Sequence, residues 1–592
     1  MGGSQAHPAH GDEFRACDGS YKRQNSDGMV LIAPRDVSGI WLPELVLRIA
    51  SFLPPNDVAT SVRLVNKAAA AVLHDRTTVL AYQPVPPHAV VAKWGQPGAT
   101  RGLTLRLRRR LLCLAAASGS VPYLDALLAL LGLPLLADVF ESAVASGQLE
   151  MCAYLRSRHC PWGPSVPEAA AAADMKSSLE WLRANRCPWS PRCASAALRA
   201  GHLQLAWWLM QLPPAGVDAA GLLEGAAYGC ALPELQRLHA DLGLDPRHCC
   251  LLAAAAGSPS TEWIAKAEWL SDRVCRHSTL ACAEVLARPD WEARLGWLRR
   301  HGRELADAAG AAAATGNSVA LRHLLANGAL VLEEGAARAA AVAAARTGHI
   351  NVLEVLAEVH EGEVTAPPVL AAAAEAERRE ALSWLLERAL AGEEARPADE
   401  VMSAELFAAA AASGCVELLA ELREAGGCAW DSAAWVGAAS AGCEEALHWL
   451  ADRGCPMPAD GEPYVVAARN GDLSTLAALR DLGMPVGTHA FTRAVWTGVQ
   501  GAEGADPPAL EWLLAAGVPV DWRSAVWAAE RRGDRGVCAW VCAQAAAAGG
   551  LGGMDGCPCE AEAAAEASLS VTITTGAAAA LVGGMQAFTP CC

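Results

Sequence analysis

The chain has 592 residues and a formal net charge of −17; 53% of it is hydrophobic, largely alanine, and only 5% aromatic. That balance argues against a nucleic-acid backbone as the main partner, because phosphate binding needs clustered Lys and Arg. No run of about eighteen strongly apolar residues occurs, so neither a transmembrane helix nor stable membrane insertion is expected. The start, MGGSQAHPAHGDEF, has no apolar leader and carries Asp12 and Glu13, which disfavours secretory and organellar signals. Gly2 fails as a myristoylation site because Ala6 stands where Ser or Thr is needed. With no leader, the 21 cysteines read as reduced, small buried hydrophobes of a cytoplasmic or nuclear protein.

Residues 1–38 mix Gly, His, Ser, Asp and Lys and are expected to be disordered. A compact helical segment follows at 39–76. Pro43 suits a first helical turn, and Leu45, Ile49 and Phe52-Leu53 give that helix an apolar face. Pro54-Pro55 ends it, Asn56 or Asp57 can cap a second helix, and Val58, Val62 and Val65 continue the helical spacing. Leu42-Pro43-Glu44, Ile49, Phe52-Leu53-Pro54 and Asp57-Val58 resemble an F-box, a three-helix module that docks on a Skp1-type adaptor of cullin-RING ubiquitin ligases. The resemblance implies that Leu42, Pro43, Ile49, Leu53, Pro54 and Val58 face the adaptor. It departs after Val65, where Asn66-Lys67-Ala68-Ala69-Ala70 replaces the usual aromatic-bearing end. A helical cap for the repeats is the alternative reading of this segment.

Residues 77–110 read as a Pro- and Val-rich linker closing in the basic run Arg101–Arg110. No aromatic platform accompanies that run, so a solvated edge of the first repeat helix is preferred to a nucleic-acid patch.

From 111 to 544 one phrase recurs: a small-residue helix, a glycine-like turn, and a second helix carrying an apolar residue eight positions after the turn. Gly147 to Leu155, Asp174 to Leu182, Gly201 to Leu209, Gly316 to Leu324, Gly348 to Leu356, Gly414 to Leu422, Gly442 to Leu450 and Gly471 to Leu479 are such pairs. The turn steps by 27 residues from Gly147 to Asp174 and again to Gly201, and later steps lengthen to about 36. A fixed offset inside a unit of this size predicts a solenoid of roughly fourteen or fifteen units. Glycine at the turn permits positive φ where one helix stops and reverses, and Glu377 stands where a glycine belongs. Trp181, Trp208, Trp384, Trp449 and Trp512 precede a Leu on second helices and are expected to fill the space between units. Gly328, Gly454, Gly483 and Gly517 are expected to end second helices. Ser258–Arg300 is hard to phase, and 497–509 carries an insertion.

The unit resembles the ankyrin repeat, in a divergent class whose loop reads Cys-Pro-Trp at Cys160-Pro161-Trp162 and Cys187-Pro188-Trp189. It lacks the Thr-Pro-Leu-His signature, and its shortest copies fall about six residues below the family's usual length, which points to a shortened finger and little strand. The fold class expected is therefore all-α: an ankyrin-type helix-turn-helix solenoid with a small N-terminal three-helix F-box-like module.

The tail, 545–592, is Gly- and Ala-rich and expected to be disordered; Cys591-Cys592 superficially resembles a prenylated ending without the GTPase body that goes with it. Catalytic and metal motifs are wanting. Cys557 and Cys559 have the wrong spacing, His248-Cys249-Cys250 and His159-Cys160 point apart on a helix, Gly310–Gly316 lacks the P-loop lysine at Asn317, and Ser440 has no strand beneath it. No cofactor and no metal are expected. The reading is a non-catalytic protein–protein interaction protein that binds a protein target on the concave face of its repeats, with the F-box-like face as a route to a ubiquitin ligase. A plain ankyrin scaffold is the alternative. A lipid hydrolase is a distant one, resting on a resemblance of such chains to sphingomyelin phosphodiesterase-related proteins.

Overall fold

The computed structural model describes residues 41–212, 218–242, 250–271, 281–301, 308–326, 332–391, 396–496 and 505–549. Expectations for 1–38, Gly2, His248-Cys249, Gly328, the insertion at 497–504, Cys557, Cys559 and Cys591-Cys592 lie outside them. Among the described residues there is no strand, and the chain is all-helical. It divides into two compact units, 1–79 and 80–592.

The first unit contains α1 (Pro43–Ala50), α2 (Pro55–Thr60) and α3 (Lys67–Val72), with a single 3-10 turn at Val62–Leu64. Pro43 and Pro55 each open a helix, where a missing N–H costs nothing. Neither Asn56 nor Asp57 caps α2, whose N-cap is Pro54. Asn66 instead caps α3, its side chain accepting from the Ala69 amide at 2.8 Å. The core of this unit is small: Val46, Val58 and Leu73, with Trp41, Ala50, Val62 and Val72 packed around them.

The second unit begins with α4 (Pro87–Trp94), so the stretch 77–110, expected to be a linker, already holds a helix. Next come α5 (Leu105–Ser118), whose first turns are the basic run, and α6 (Val121–Leu131). From α5/α6 to the pair Trp522–Arg532 and Arg535–Ala547, the described residues form fifteen helix pairs sharing one continuous core. The last helix runs three residues into the expected tail. First helix packs on first helix from unit to unit throughout, the arrangement of a helical-repeat solenoid. Small residues make this stacking close. A Cβ placed on Gly437 would lie 2.4 Å from the Ala408 carbonyl oxygen of the preceding first helix, and one on Gly225 would lie 2.5 Å from that of Ser195.

Both ends of the unit reverse by the same device. At seven inter-helix turns the backbone swings to positive φ, and the next amide reaches back five residues to an alanine carbonyl. Gln148, Met175, His202, Asn317, His349, Arg378 and Asp472 donate to Ala143, Ala170, Ala197, Ala312, Ala344, Ala373 and Ala467 at 2.8–3.0 Å. After the second helix the acceptor is instead the buried leucine: Cys160, Cys187, Cys455, Met484 and Val518 donate to Leu155, Leu182, Leu450, Leu479 and Leu513 at 3.0–3.2 Å. These are Schellman closures, in which the reversal satisfies a carbonyl the helix would leave unpaired. The leucines eight residues past the turn are all buried, from Leu155 to Leu479. The tryptophans are less uniform. Trp449 is buried, but Trp181, Trp208, Trp384 and Trp512 are only partly so, and the most enclosed is Trp435 on a first helix.

Among the described residues, four that are not glycine occupy the left-handed position: His159 (φ 58°), Asp174 (59°), Arg186 (58°) and Glu377 (57°). An L residue there carries a steric cost of roughly 1–2 kcal/mol, partly offset by the greater unfolded-state freedom of glycine. Glu377→Gly and Arg186→Gly should therefore each stabilise the array by about 0.5–1 kcal/mol, read as a higher midpoint in urea unfolding.

Candidate functional site

Two places stand out, one in each unit. The first is the face of α1. Leu42, Leu45, Leu47, Ile49, Phe52 and Leu53 are all exposed, Phe52 to 76%. The amphipathic helix spends only Val46 on the unit's own core. Of the six residues singled out by the F-box resemblance, Leu42, Pro43, Ile49, Leu53 and Pro54 lie on the surface. Val58 does not. It is 5% exposed and packs with Val46 and Leu73, so it cannot present its side chain to an adaptor.

The second place is a junction that sequence spacing could not reveal. Arg108, third on the basic run, is only 2% exposed. Its guanidinium donates to both carboxylate oxygens of Asp472, at 2.9 and 2.5 Å, and Asp472 is itself wholly buried. It also donates to the carbonyls of Gly442 (2.6 Å) and Leu131 (3.2 Å). Arg109 donates to the Asn470 carbonyl at 2.7 Å, and Ser474 Oγ to that of Leu131 at 3.2 Å. The Glu445 amide and the Cys443 thiol both donate to the Arg101 carbonyl. Asp472 holds its place because it also caps its own helix, accepting from the Thr475 amide and hydroxyl. The first repeat thus rests on the turns at Gly414, Gly442 and Gly471, and the array returns on itself. Gly442 needs to be glycine twice over. Its φ is 63°, and a Cβ would lie 2.7 Å from that of Leu105 and 2.5 Å from Asp472 Oδ2. The expectation that the basic run is a solvated edge is corrected: Arg101, Arg106 and Arg110 are exposed, while Arg108 is buried in this junction.

The Cys-Pro-Trp loop at Cys160 and the related loops Cys428-Ala429-Trp430 and Cys455-Pro456-Met457 are structural. The thiols of Cys160, Cys428 and Cys455 donate to carbonyls one unit back, those of Leu136, Ser403 and Asp431, at 3.3–3.4 Å. Burial pushes Cys160 up to about 12 and Cys428 and Cys455 up to about 11, so they remain neutral thiols rather than nucleophiles. Trp162 packs between Phe140 and Trp181, with the Arg156 guanidinium 3.8 Å above its ring. Trp430 repeats this between Phe407 and Trp449, under Arg423.

The stretch that resisted phasing, Ser258–Arg300, ends its helices differently. Where a glycine turn is missing, cations from neighbouring helices and a loop take the open carbonyls. The Lys266 ammonium, fully buried, donates to Ala227 and Cys230 carbonyls at 2.9 Å and to Ser258 Oγ at 2.8 Å. Arg294, 3% exposed, donates to the Ala256 and Ser258 carbonyls, and Arg288 to that of Gly257. The Ser258–Lys266 pair has the composition of a Ser–Lys catalytic dyad. However, Ser258 is fully buried and its hydroxyl is spent on the Tyr228 carbonyl at 2.5 Å. His159 likewise serves as a left-handed turn residue, Ser440 Oγ donates to the Gly437 carbonyl, and Asn317 caps its helix through the Ala320 amide. Among the described residues, no group of three or more His, Cys, Asp or Glu is placed to hold a metal. No helix among them is long and apolar enough to cross a membrane.

No protein-family model matches the chain, and no curated protein matches it. Solved structures do. The pentatricopeptide repeat protein PPR10 from maize is 14% identical, with 85% of this chain and 93% of that one covered at a TM-score of 0.21. The same protein in complex with an 18-nt psaJ RNA element is 12% identical over 84% and 88%, again at 0.21. This chain is thus similar to helical-repeat proteins in its repetition of helix pairs. The exclusion of nucleic acid as a partner, drawn above from net charge, is corrected by that RNA-bound helical-repeat structure and is withdrawn. At a TM-score of 0.21 the likeness carries nothing further.

Lys266 gives the array a pH signature. Burial lowers its pKa from 10.5 to about 8. Between those values the unfolded chain binds more protons than the folded one, so Lys266 disfavours the fold below about pH 8 and this penalty is relieved as pH rises toward 10.5. Wild-type stability should therefore rise relative to Lys266→Met between pH 7.5 and 9.5 in paired urea melts; parallel curves would contradict the lowered pKa.

Proposed function

We propose that this chain is a non-catalytic protein–protein interaction protein, an ankyrin-type array joined to an F-box-like module that docks a Skp1-type adaptor while the repeats hold the target. The observation that carries the reading is the exposed apolar face of α1. A module with a core of three side chains leaves Leu42, Leu45, Ile49, Phe52 and Leu53 in water, a cluster that a partner would bury. The non-catalytic part is supported by the chemistry of the interior. The buried thiols of Cys160 and Cys428 are neutral, and the Ser258–Lys266 pair is sealed and engaged in helix capping.

The ankyrin-type assignment is supported by helix pairs that reverse at one left-handed residue and by loops that bond one unit back. At the docking face, adaptor recognition would rest on α1 and the Pro54 corner, with Val58 acting from beneath as support. The full chain should capture purified Skp1-type adaptor at micromolar concentration. Leu42→Ala with Ile49→Ala should weaken capture at least about tenfold, since truncating two central apolar contacts removes a few kcal/mol. Absence of capture by the native chain would reduce the protein to a scaffold without a ligase link.

A further inference from the structure

The return of the array on itself differs in kind from the stacking of its consecutive units. Consecutive units pack helix along helix over a continuous apolar core. At the junction, neither α5 nor α6 lies along a helix of the later units. Contact is made by the loop 101–104, the first turns of α5 and the end of α6 against turns. Its bonds are polar: the Arg108–Asp472 ion pair, the Arg108 and Arg109 bonds to carbonyls, and the Arg101 carbonyl receiving Glu445 and Cys443. The Arg101 guanidinium stands 4.0 Å from Glu444 at the rim. Apolar atoms meet there at the Thr104 methyl beside Gly414, Leu105 beside Gly442 and Pro134 beside Gly471. A joint of this composition gains little from hydrophobic burial, and the desolvation of two buried charges offsets much of their attraction. Polar contacts of this type separate reversibly while the bodies they join stay folded. Both partners also keep local support when apart, for Asp472 still caps the helix Leu473–Asp481 and α5 still packs on Ala137–Ala145.

We propose that the Arg108–Asp472 junction is a reversible latch: the array interconverts between a closed form and an open form in which the first unit has left the turns at Gly442 and Gly471. In the open form the Asp472 carboxylate and the Gly442 carbonyl are free for water or a partner, and the curvature of the array is no longer fixed by a contact between its distant units.

The test is hydrogen exchange and small-angle X-ray scattering on the full chain. The Glu445 amide, whose acceptor is the Arg101 carbonyl, should exchange at least about tenfold faster in the wild type than the amides of the stacked first helices, because it opens with the latch and not with the fold. Arg108→Met should accelerate it by about a further tenfold and enlarge the maximum dimension, with helical content unchanged. Asp472→Asn, which retains an acceptor for the Thr475 amide, should do the same. Glu445 exchange as slow as the stacked helices, or unchanged exchange and scattering in both variants, would overturn the latch. Loss of helical content in both would overturn it too, because the pair would then be a requirement for folding.

Discussion

Much of this array depends on a single backbone event, a residue in the left-handed region whose successor, at seven inter-helix turns, donates back to a carbonyl five positions earlier. Without it, a helix would end on unpaired carbonyls and the chain would continue outward. With it, the chain reverses within two residues and the next helix lies against the last. That the acceptor is alanine at inter-helix turns and leucine at the ends of second helices follows from what surrounds each place. The first helices meet one another closely and tolerate little bulk, whereas the second helices must fill the space beneath them.

This constraint explains why the repeats were legible. Eight-residue offsets from turn to leucine marked the units, and they located the left-handed residue even where Asp174 and Glu377 replace glycine. The offset held because geometry, not residue type, is what repeats. The same logic explains the failure between Ser258 and Arg300. There, helix ends are satisfied by Lys266 and Arg294 from neighbouring helices and by Arg288 from a loop, and a cation donating across 31 to 39 residues leaves no local pattern. The F-box-like segment was read correctly as helical but not in depth. Val58 was placed on the surface by a motif, but it forms the unit's small core with Val46 and Leu73.

Arg108 shows the limit most plainly. Its neighbours Arg106 and Arg110 are exposed, and composition gives no reason to separate it from them. Its partner lies 364 residues away. The array, a succession of similar local contacts, acquires at that pair a contact that local repetition does not generate. Its acidic net charge and its neutral thiols fit a chain that presents surfaces, with the exposed face of α1 in one unit and a polar junction in the other.

The central claim is that two residues so far apart in sequence are partners in the folded chain, and a double-mutant cycle tests it most directly. Arg108→Met, Asp472→Asn and the pair would be compared by urea unfolding. A direct buried contact predicts non-additivity of about 1–3 kcal/mol, the second substitution costing far less once the first is present. Additivity within about 0.5 kcal/mol would mean that the two side chains do not meet, and that the array does not return on itself.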